Sequence, residues 1–260
     1  QLDRNRDSVM INEINDFMCK LFPREDLRKY VWEHLASLIM GVNLDQKLHI
    51  YIGGGENGKS VLCDLLKQCF GDYYNGSVPL SLITQARQRQ GSAAPDIVAL
   101  KGTRIAVMQE PSKNDKINEG PMKELTSGVE PIRGRPLFGN IVEFIPQFKI
   151  IVCTNDFPSV NSQDHGTWRR INVVDFESLF TNNPDLDDPE KPFQFKKDTT
   201  IKDKFKEWKI VFMAMLVEIV LKTQGNVTEC KRVAKSSQQY REREDHVAEY
   251  ITERIVRDDC

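Results

Sequence analysis

The sequence has almost no excess of charge of either sign. It contains 36 lysine and arginine residues against 38 aspartate and glutamate residues, which gives a formal net charge of −2. This balance excludes a chain that coats nucleic acid through an overall basic surface. Any contact with nucleic acid must come from a local patch, or from an assembly that brings one face of several chains together.

Long apolar runs are also missing. The most apolar stretch, around residues 210–221, is too short and too interrupted to span a bilayer, and residues 1–7 are polar and charged, unlike a signal peptide. We therefore expect no contact with a membrane. Because the chain does not begin with methionine, we expect it to be a fragment of a longer protein.

Cysteine is present without any metal-binding or disulfide pattern. The six cysteines form no Cys-x-x-Cys pair, and no histidine stands at zinc-ligand spacing from them. This predicts reduced thiols in a reducing compartment. The sequence also lacks internal repeats and low-complexity tracts, and its 260 residues are 40% hydrophobic, as in an ordinary globular protein.

Predicted strands and helices alternate through the centre of the chain, which is typical of an α/β fold with a parallel sheet. A hairpin is predicted within residues 128–146, and a polar loop at 181–200 marks a boundary. The predicted strands cover 48–52, 103–108, 148–154 and 171–176, and the predicted helical segments cover 8–45, 59–70, a stretch from 205 and about 237–256.

The segment Gly53–Ser60 reads GGGENGKS and matches the Gly-x-x-x-x-Gly-Lys-Ser pattern of phosphate-binding loops. The glycines allow backbone N–H groups to point at phosphate oxygens, Lys59 would reach the β- and γ-phosphates, and the Ser60 hydroxyl would bind Mg²⁺. A glycine-rich turn without a ligand is the alternative. We predict ATP and Mg²⁺ as cofactors, with nucleotide contacts from Gly53, Gly54, Gly55, Glu56, Asn57, Gly58, Lys59, Ser60 and Val61.

Polar residues follow two later strands. Glu110 comes directly after the strand that ends near Met108, where it could act as the general base and share the metal with Ser60. Gln109 stands where most phosphate-loop proteins have an acid, and Glu110 could instead be a solvated carboxylate. Asn155 ends the next strand and could orient the attacking water, although asparagine also favours turns.

Two arginines, Arg169 and Arg170, directly precede the last predicted strand. A guanidinium at a strand edge can neutralise the charge that develops on a transferred phosphoryl group, usually across a subunit boundary. Two adjacent arginines that face solvent are the alternative.

The order of these motifs resembles superfamily 3 helicases, most of all the primase–helicases of nucleocytoplasmic large DNA viruses (the poxvirus type) and related phage and plasmid proteins. Together with the flanking helices, the resembling stretches cover most of residues 9–260. They are 57–60, 108–111, 123–126, 148–149 with 153–155, and 166–171.

The resemblance implies an AAA+-like ATPase core over residues 46–180, preceded by a helical collar at 1–45 and followed by a helical lid at 181–260. It also implies a catalytic role for four residues, with Arg170 preferred to Arg169 as the arginine finger supplied to a neighbouring subunit. These four are Lys59, Glu110, Asn155 and Arg170.

In the same family, the segment between the second and third motifs bears a hairpin that contacts DNA. The stretch Phe138–Asn140 is the expected tip, while Ser127-Gly128-Val129 departs from the two glycines and aspartate that relatives often show. An ordinary basic loop is the alternative for each residue. The predicted DNA contacts are Lys123, Arg133, Arg135, Phe138, Asn140 and Lys149.

The function implied by the resemblance is ATP-driven helicase or translocase activity in viral genome replication. The expected assembly is a ring, usually of six subunits, around single-stranded or forked DNA, with a primase upstream in the chain and a replicative polymerase as partner. The expected location is the host cytoplasm, with the nucleus as the alternative. Two other functions stay open: an ATPase of this fold that remodels or packages without unwinding, and a DNA-binding module whose assembly ATP controls.

Overall fold

The computed structural model describes residues 7–86, 92–109, 115–160, 162 and 164–245. Its centre is a five-stranded sheet in which all neighbouring strands are parallel. The predicted α/β class with a parallel sheet is therefore confirmed. In spatial order the strands are β2 Tyr74–Asn75, β3 Ile105–Gln109, β6 Lys149–Thr154, β1 Leu48–Ile52 and β7 Ile171–Asp175.

Helices cover both faces of this sheet, and two small two-stranded sheets complete the described part of the chain. The small sheets pair β4 Ile132–Gly134 with β5 Val142–Phe144 and β8 Leu179–Thr181 with β9 Gln194–Lys196. The helices are α1 Ser8–Leu21, α2 Glu25–Ser37, α3 Lys59–Phe70, α4 Ser81–Thr84, α5 Pro95–Val98, α6 Glu119–Leu125, α7 His165–Trp168, α8 Phe205–Thr223 and α9 Lys231–Glu244, with short 3₁₀ turns at Leu38–Met40, Gly71–Tyr73 and Ile201–Lys204.

Alternate residues of the central strands enter two separate hydrophobic clusters, because successive side chains of a strand point to opposite faces. Tyr51 and Ile151 pack with apolar residues of α1, α2, α3 and α8 on one face. Ile50 and Ile150 pack with residues of α5, α6 and the hairpin on the other face. The first and last helical segments thus share one core with α3, and the division into collar, core and lid stays a prediction.

The structure gives several predicted elements different bounds. The predicted helical segment 8–45 is two α-helices and a 3₁₀ turn, because Pro23 follows the end of α1 and Gly41, at φ 64°, ends the turn. The polar loop predicted at 181–200 contains β9, which pairs in parallel with β8. The last helix begins earlier than predicted, at Lys231, and residues 246–256 of that prediction lie outside the described residues.

The predicted hairpin is confirmed as the antiparallel pair of β4 and β5. Its base is fixed against α5, since a Cβ at Gly134 would stand 2.9 Å from Ile97 and the Ala94 N–H donates to the Arg135 carbonyl at 2.7 Å. The tip beyond this base projects from the fold, and Phe138 there is 107% exposed with φ 59°.

Two other predictions concern membranes and cysteines. Within the described ranges, every helix is too short or too polar to cross a membrane. The five described cysteines are free thiols, and Cys63 is buried in the core.

Two histidine rings stack inside the first cluster. The ring centroids of His34 and His49 are 3.6 Å apart, and both side chains are fully or almost fully buried. Tyr30 Oη lies 2.9 Å from His49 Nε2 and accepts a hydrogen bond from Asn172 Nδ2 at 2.8 Å. Burial lowers the pKa of both histidines well below its ordinary value, with further contributions from the Lys149 charge and, for His49, from His34.

Acidification is therefore expected to destabilise the chain before its carboxylates titrate. The unfolded histidines bind protons below a pKa of about 6.5 while the folded ones stay neutral, so the free energy of unfolding falls as the pH drops through this value. Each histidine should contribute a loss of about 1.4 kcal/mol between about pH 7.5 and 5.5. Urea denaturation at the two pH values measures this loss.

A matched pair of variants assigns the effect to the stacked rings. His34→Phe should remove about half of the pH-dependent loss, because one of two neutral buried imidazoles is gone. His165→Ala removes an exposed histidine and should leave the loss unchanged. Equal pH dependence in the original chain and in His34→Phe would contradict this account.

Candidate functional site

The predicted phosphate loop lies at the carboxyl edge of the sheet, between the end of β1 and the start of α3. Its backbone needs three left-handed residues, Gly55 at φ 98°, Glu56 at φ 46° and Gly58 at φ 83°. At Gly58 a side chain is also sterically excluded, since a Cβ would stand 2.3 Å from Leu21 Cδ2. Glycine at this position therefore allows both the turn and its close packing on α1.

Lys59 joins this loop to the end of a neighbouring strand. Its Nζ donates to the Gly53 carbonyl at 2.7 Å and to Asn155 Oδ1 at 3.0 Å. Because β1 and β6 pair in parallel with Ile52 opposite Thr154, the residues after both strands meet at the same edge. Lys59 is only 8% exposed, and burial lowers the pKa of its ammonium group. An anion would compensate this buried charge.

Asn57 supports the loop from inside. Its Oδ1 accepts from the Lys59 backbone N–H at 3.4 Å, while its Nδ2 is buried without a partner among the described residues. A Cβ at Gly53 would stand 2.1 Å from this Nδ2. The side chain thus fills the space under Gly53 and keeps this part of the loop closely packed.

A cavity of about 1430 Å³ opens above the loop. Cys63 and Cys153 also line it, with their Sγ atoms 3.7 Å apart. Gly53 and Gly54 lie outside the cavity lining, although the Gly53 carbonyl accepts from Lys59 Nζ. The predicted residues that line the cavity are Gly55, Glu56, Asn57, Gly58, Lys59, Ser60, Val61 and Asn155.

One wall of this cavity was missed by the sequence interpretation. The segment after β8, predicted as a polar boundary loop, returns over the phosphate loop. Lys197 Nζ lies 3.3 Å from Glu56 Oε1, and Lys202 Nζ lies 2.5 Å from Asp64 Oδ2. The density of lysines between residues 196 and 204 was the available signal for this wall.

The described part of the site fits a nucleoside triphosphate. Turned backbone, a buried lysine and the exposed Ser60 at the start of α3 meet around one edge of the cavity. Glu110 lies outside the described residues, while Gln109, at the end of β3, lines the cavity. Mg²⁺ binding by Ser60 and Glu110, and the roles of Lys59 and Asn155, stay predictions.

Arg169 and Arg170 lie at the opposite edge of the sheet. They precede β7, whose first residue Ile171 is opposite Leu48 at the start of β1, so about 16 Å of strand separates them from their own phosphate loop. Arg170 donates to the Gly166 carbonyl and, through Nη2, to Gln46 Oε1 at 2.9 Å. Arg169 Nη2 donates to the same oxygen.

Four of the six predicted DNA contacts lie on the hairpin. Arg133, Arg135, Phe138 and Asn140 are all exposed there. Arg133 forms a cross-strand ion pair with Glu143. The hairpin therefore presents a cation and an aromatic ring at a projecting tip.

The other two predicted DNA contacts, Lys123 and Lys149, stay predictions, and each cation is already paired inside the chain. Lys123 Nζ lies 2.7 Å from Asp164 Oδ2 and 3.0 Å from Glu119 Oε2, and these bonds raise the pKa of its ammonium group. Lys149 is 4% exposed and lies 3.3 Å from Asp45 Oδ1, and burial lowers its pKa.

Comparisons with known proteins give one family match and several viral relatives. Residues 51–170 match a protein family described as a family of unknown function (DUF5906). The chain is 32% identical over 99% of its length to a putative helicase of Acanthamoeba polyphaga mimivirus, and 30% identical over 80% to a putative helicase of Invertebrate iridescent virus 6. A putative primase of African swine fever virus is 25% identical over 95% of the chain.

The chain spans only part of these relatives, namely 27%, 22% and 26% of their respective lengths. Among solved structures, the apo NrS-1 C-terminal region aligns with 93% of this chain and 54% of its own, at a TM-score of 0.63 and 15% identity. At this identity the likeness concerns the fold.

Proposed function

Because the chain belongs to the viral primase–helicase family of large DNA viruses, we propose that it is the ATP-hydrolysing motor of such a protein and acts as a superfamily 3 helicase. The single observation that carries this proposal is the pair of bonds from Lys59 to Gly53 and Asn155. Through these bonds Lys59 Nζ joins the phosphate loop to Asn155, the predicted water-orienting residue.

In this proposal the chain's own residues bind and orient ATP. The loop N–H groups and Lys59 hold the β- and γ-phosphates, Asn155 orients the attacking water, and Glu110 accepts its proton. Mg²⁺, held by Ser60 and Glu110, would neutralise charge on the phosphate oxygens. The apolar rings of Phe180 and Trp208 in the cavity wall suit a nucleoside base.

The proposed motor is an oligomer, and the location of Arg170 supports this. About 16 Å of strand lies between this residue and its own phosphate loop, too far for an arginine side chain to bridge. A guanidinium at that edge can reach a γ-phosphate only if a neighbouring subunit presents one. A heterologous contact of this kind closes into a ring when the rotation between subunits allows it. We expect the closed ring to contain six subunits.

The proposed substrate is single-stranded or forked DNA in the centre of the ring. The hairpin residues Arg135 and Phe138 would contact the strand, through phosphate charge and base stacking respectively. Six such hairpins would build a positive channel from a chain whose net charge is −2. A primase upstream in the same chain and replication in the host cytoplasm complete the proposal.

Strand displacement on forked DNA, with and without ATP, tests this function together with a mass measurement of the assembly. We expect displacement only with hydrolysable ATP, and a mass that is a multiple of the chain with six as the expected number. DNA-stimulated hydrolysis without displacement would favour a packaging or remodelling ATPase. ATP binding that changes the mass without hydrolysis would favour an assembly module.

A further inference from the structure

A short loop at the amino edge of the sheet connects two parts of the proposed motor. Residues 43–47 lead from the helical layer into β1, at the end of the sheet opposite the phosphate loop. Gln46 in this loop has a left-handed backbone at φ 58°. Its side chain lies between the segment that carries the two arginines and the segment before the hairpin. Sequence interpretation assigned no role to it.

The Gln46 amide touches both arginines and the segment before the hairpin. Its Oε1 accepts from Arg170 Nη2 at 2.9 Å and from Arg169, while its Nε2 donates to the Ser127 carbonyl at 3.3 Å. Guanidinium groups only donate and a carbonyl only accepts, so chemistry allows one orientation of the amide. The oxygen and the nitrogen of the Gln46 amide are therefore both hydrogen-bonded.

Neighbouring contacts make the connection rigid. Lys47 Nζ donates to the Arg169 carbonyl at 2.5 Å, and Asn43 Nδ2 donates to the Thr126 carbonyl at 3.4 Å. Gly128, at φ 69°, lies so close to this loop that a Cβ would stand 2.4 Å from the Asn43 carbonyl oxygen. Loop 43–47 is thus packed directly against residues 126–128, which lie shortly before β4.

We propose that Gln46 is a positioning residue that holds Arg169 and Arg170 for the neighbouring subunit's nucleotide and couples them to the DNA hairpin. Movement of the hairpin would reach the arginines through Ser127 and the Gln46 amide. This inference rests on the proposed function, and it adds a residue that binds neither nucleotide nor DNA.

Glutamine suits this role better than an acid would. A neutral amide orients two guanidinium groups without neutralising them, so their charge stays available for a phosphate. A carboxylate at the same place would form ion pairs with both arginines and would compete with that phosphate. A carboxylate would also lose the donor to Ser127 and repel its carbonyl oxygen.

ATP turnover of mixed assemblies tests the positioning role. Gln46→Ala should lower turnover by about tenfold or more, as small displacements of a catalytic group do. Mixing it equally with Lys59→Ala should restore about a quarter of the original turnover, because one interface in four then pairs an intact phosphate loop with intact arginines. A role confined to the same subunit would give no recovery on mixing.

Gln224→Ala is the matched control. Gln224 is also a glutamine with a left-handed backbone, at φ 55°, but it is exposed at the end of α8, away from the arginines. It should leave turnover unchanged, which separates the loss of contacts from the change at a left-handed residue. Original turnover in Gln46→Ala would overturn the positioning role of Gln46. No recovery on mixing would overturn the proposed placement of the arginines at the neighbouring subunit's nucleotide.

Hydrogen exchange of the chain tests the connection without any need for activity. Gln46→Ala should speed amide exchange in residues 126–130 and in residues 166–170, while Gln46→Glu should speed it only in 126–130. Unchanged exchange in both segments of Gln46→Ala would overturn the coupling. If the original chain does not hydrolyse ATP, the proposed function fails, and the exchange result still decides whether Gln46 links the two segments.

Discussion

Replacing Lys59 by alanine is expected to lower the rate of ATP hydrolysis by at least about a hundredfold, the usual cost of removing one preorganised donor to a developing charge. The ammonium group is held in place before nucleotide arrives, by the Gly53 carbonyl and Asn155. Burial leaves its charge poorly compensated in the free chain, so a triphosphate gains an attraction that water screens only partly. Alanine removes both the charge and the link to Asn155.

Phosphate release at saturating ATP measures this effect, and thermal unfolding shows whether the variant is folded. Lys206→Ala is the control, because Lys206 is an exposed lysine in the first turn of α8. It should hydrolyse ATP at the original rate. Undiminished turnover in a folded Lys59→Ala chain would remove the basis of the nucleotide site and of the whole proposed function.

The central strands could be predicted because each is buried on both faces. The strands β3 and β6 carry continuous apolar runs, and β1 and β7 are mostly apolar with one polar residue inside each, His49 and Asn172. Such runs are the pattern of a parallel sheet between helices. The edge strand β2 has only two residues, and β8 and β9 have three each, so they give no such run. Their pairing depends on contacts with distant parts of the chain.

The phosphate loop could be predicted for a different reason, since eight consecutive residues define its geometry and chemistry. Charged side chains elsewhere could not be assigned in this way. Lys149 is predicted as a DNA contact, and the sequence does not reveal that this lysine pairs with Asp45, which lies 104 residues away. Whether a lysine is free or paired is decided by the folded chain.

The same limit explains Gln46. A lone glutamine before a strand carries no motif, and its contacts with Ser127 and Arg170 span 81 and 124 residues of sequence. Only the parallel sheet brings these segments together, because β1 and β7 begin at the same edge. Residues that connect functional parts are therefore harder to find from sequence than residues that bind ligands.

Replacing Arg135 and Phe138 together by alanine is expected to abolish the DNA stimulation of ATP hydrolysis and the displacement of a strand. Phe138 is fully exposed at the hairpin tip, where it has no packing role that could explain a bulky apolar side chain. Loss of one aromatic ring that stacks on a base weakens single-strand binding by about 1–3 kcal/mol, roughly 5- to 150-fold. Loss of one phosphate contact should also reduce the salt dependence of log Kd by about 0.7–1.

Binding of a labelled single strand at several salt concentrations measures both effects, and ATP turnover with and without DNA measures the coupling. Arg135→Lys with Phe138→Tyr keeps a cation and a ring at the tip and should retain most of the binding. Lys206→Ala with Ile210→Ala removes an exposed cation and an exposed apolar side chain from α8 and should retain all of it. Because the hairpin base is packed on α5 while the tip projects, the double alanine variant should unfold at the original temperature. Strand displacement by that folded variant would assign the DNA contact to another surface of the chain.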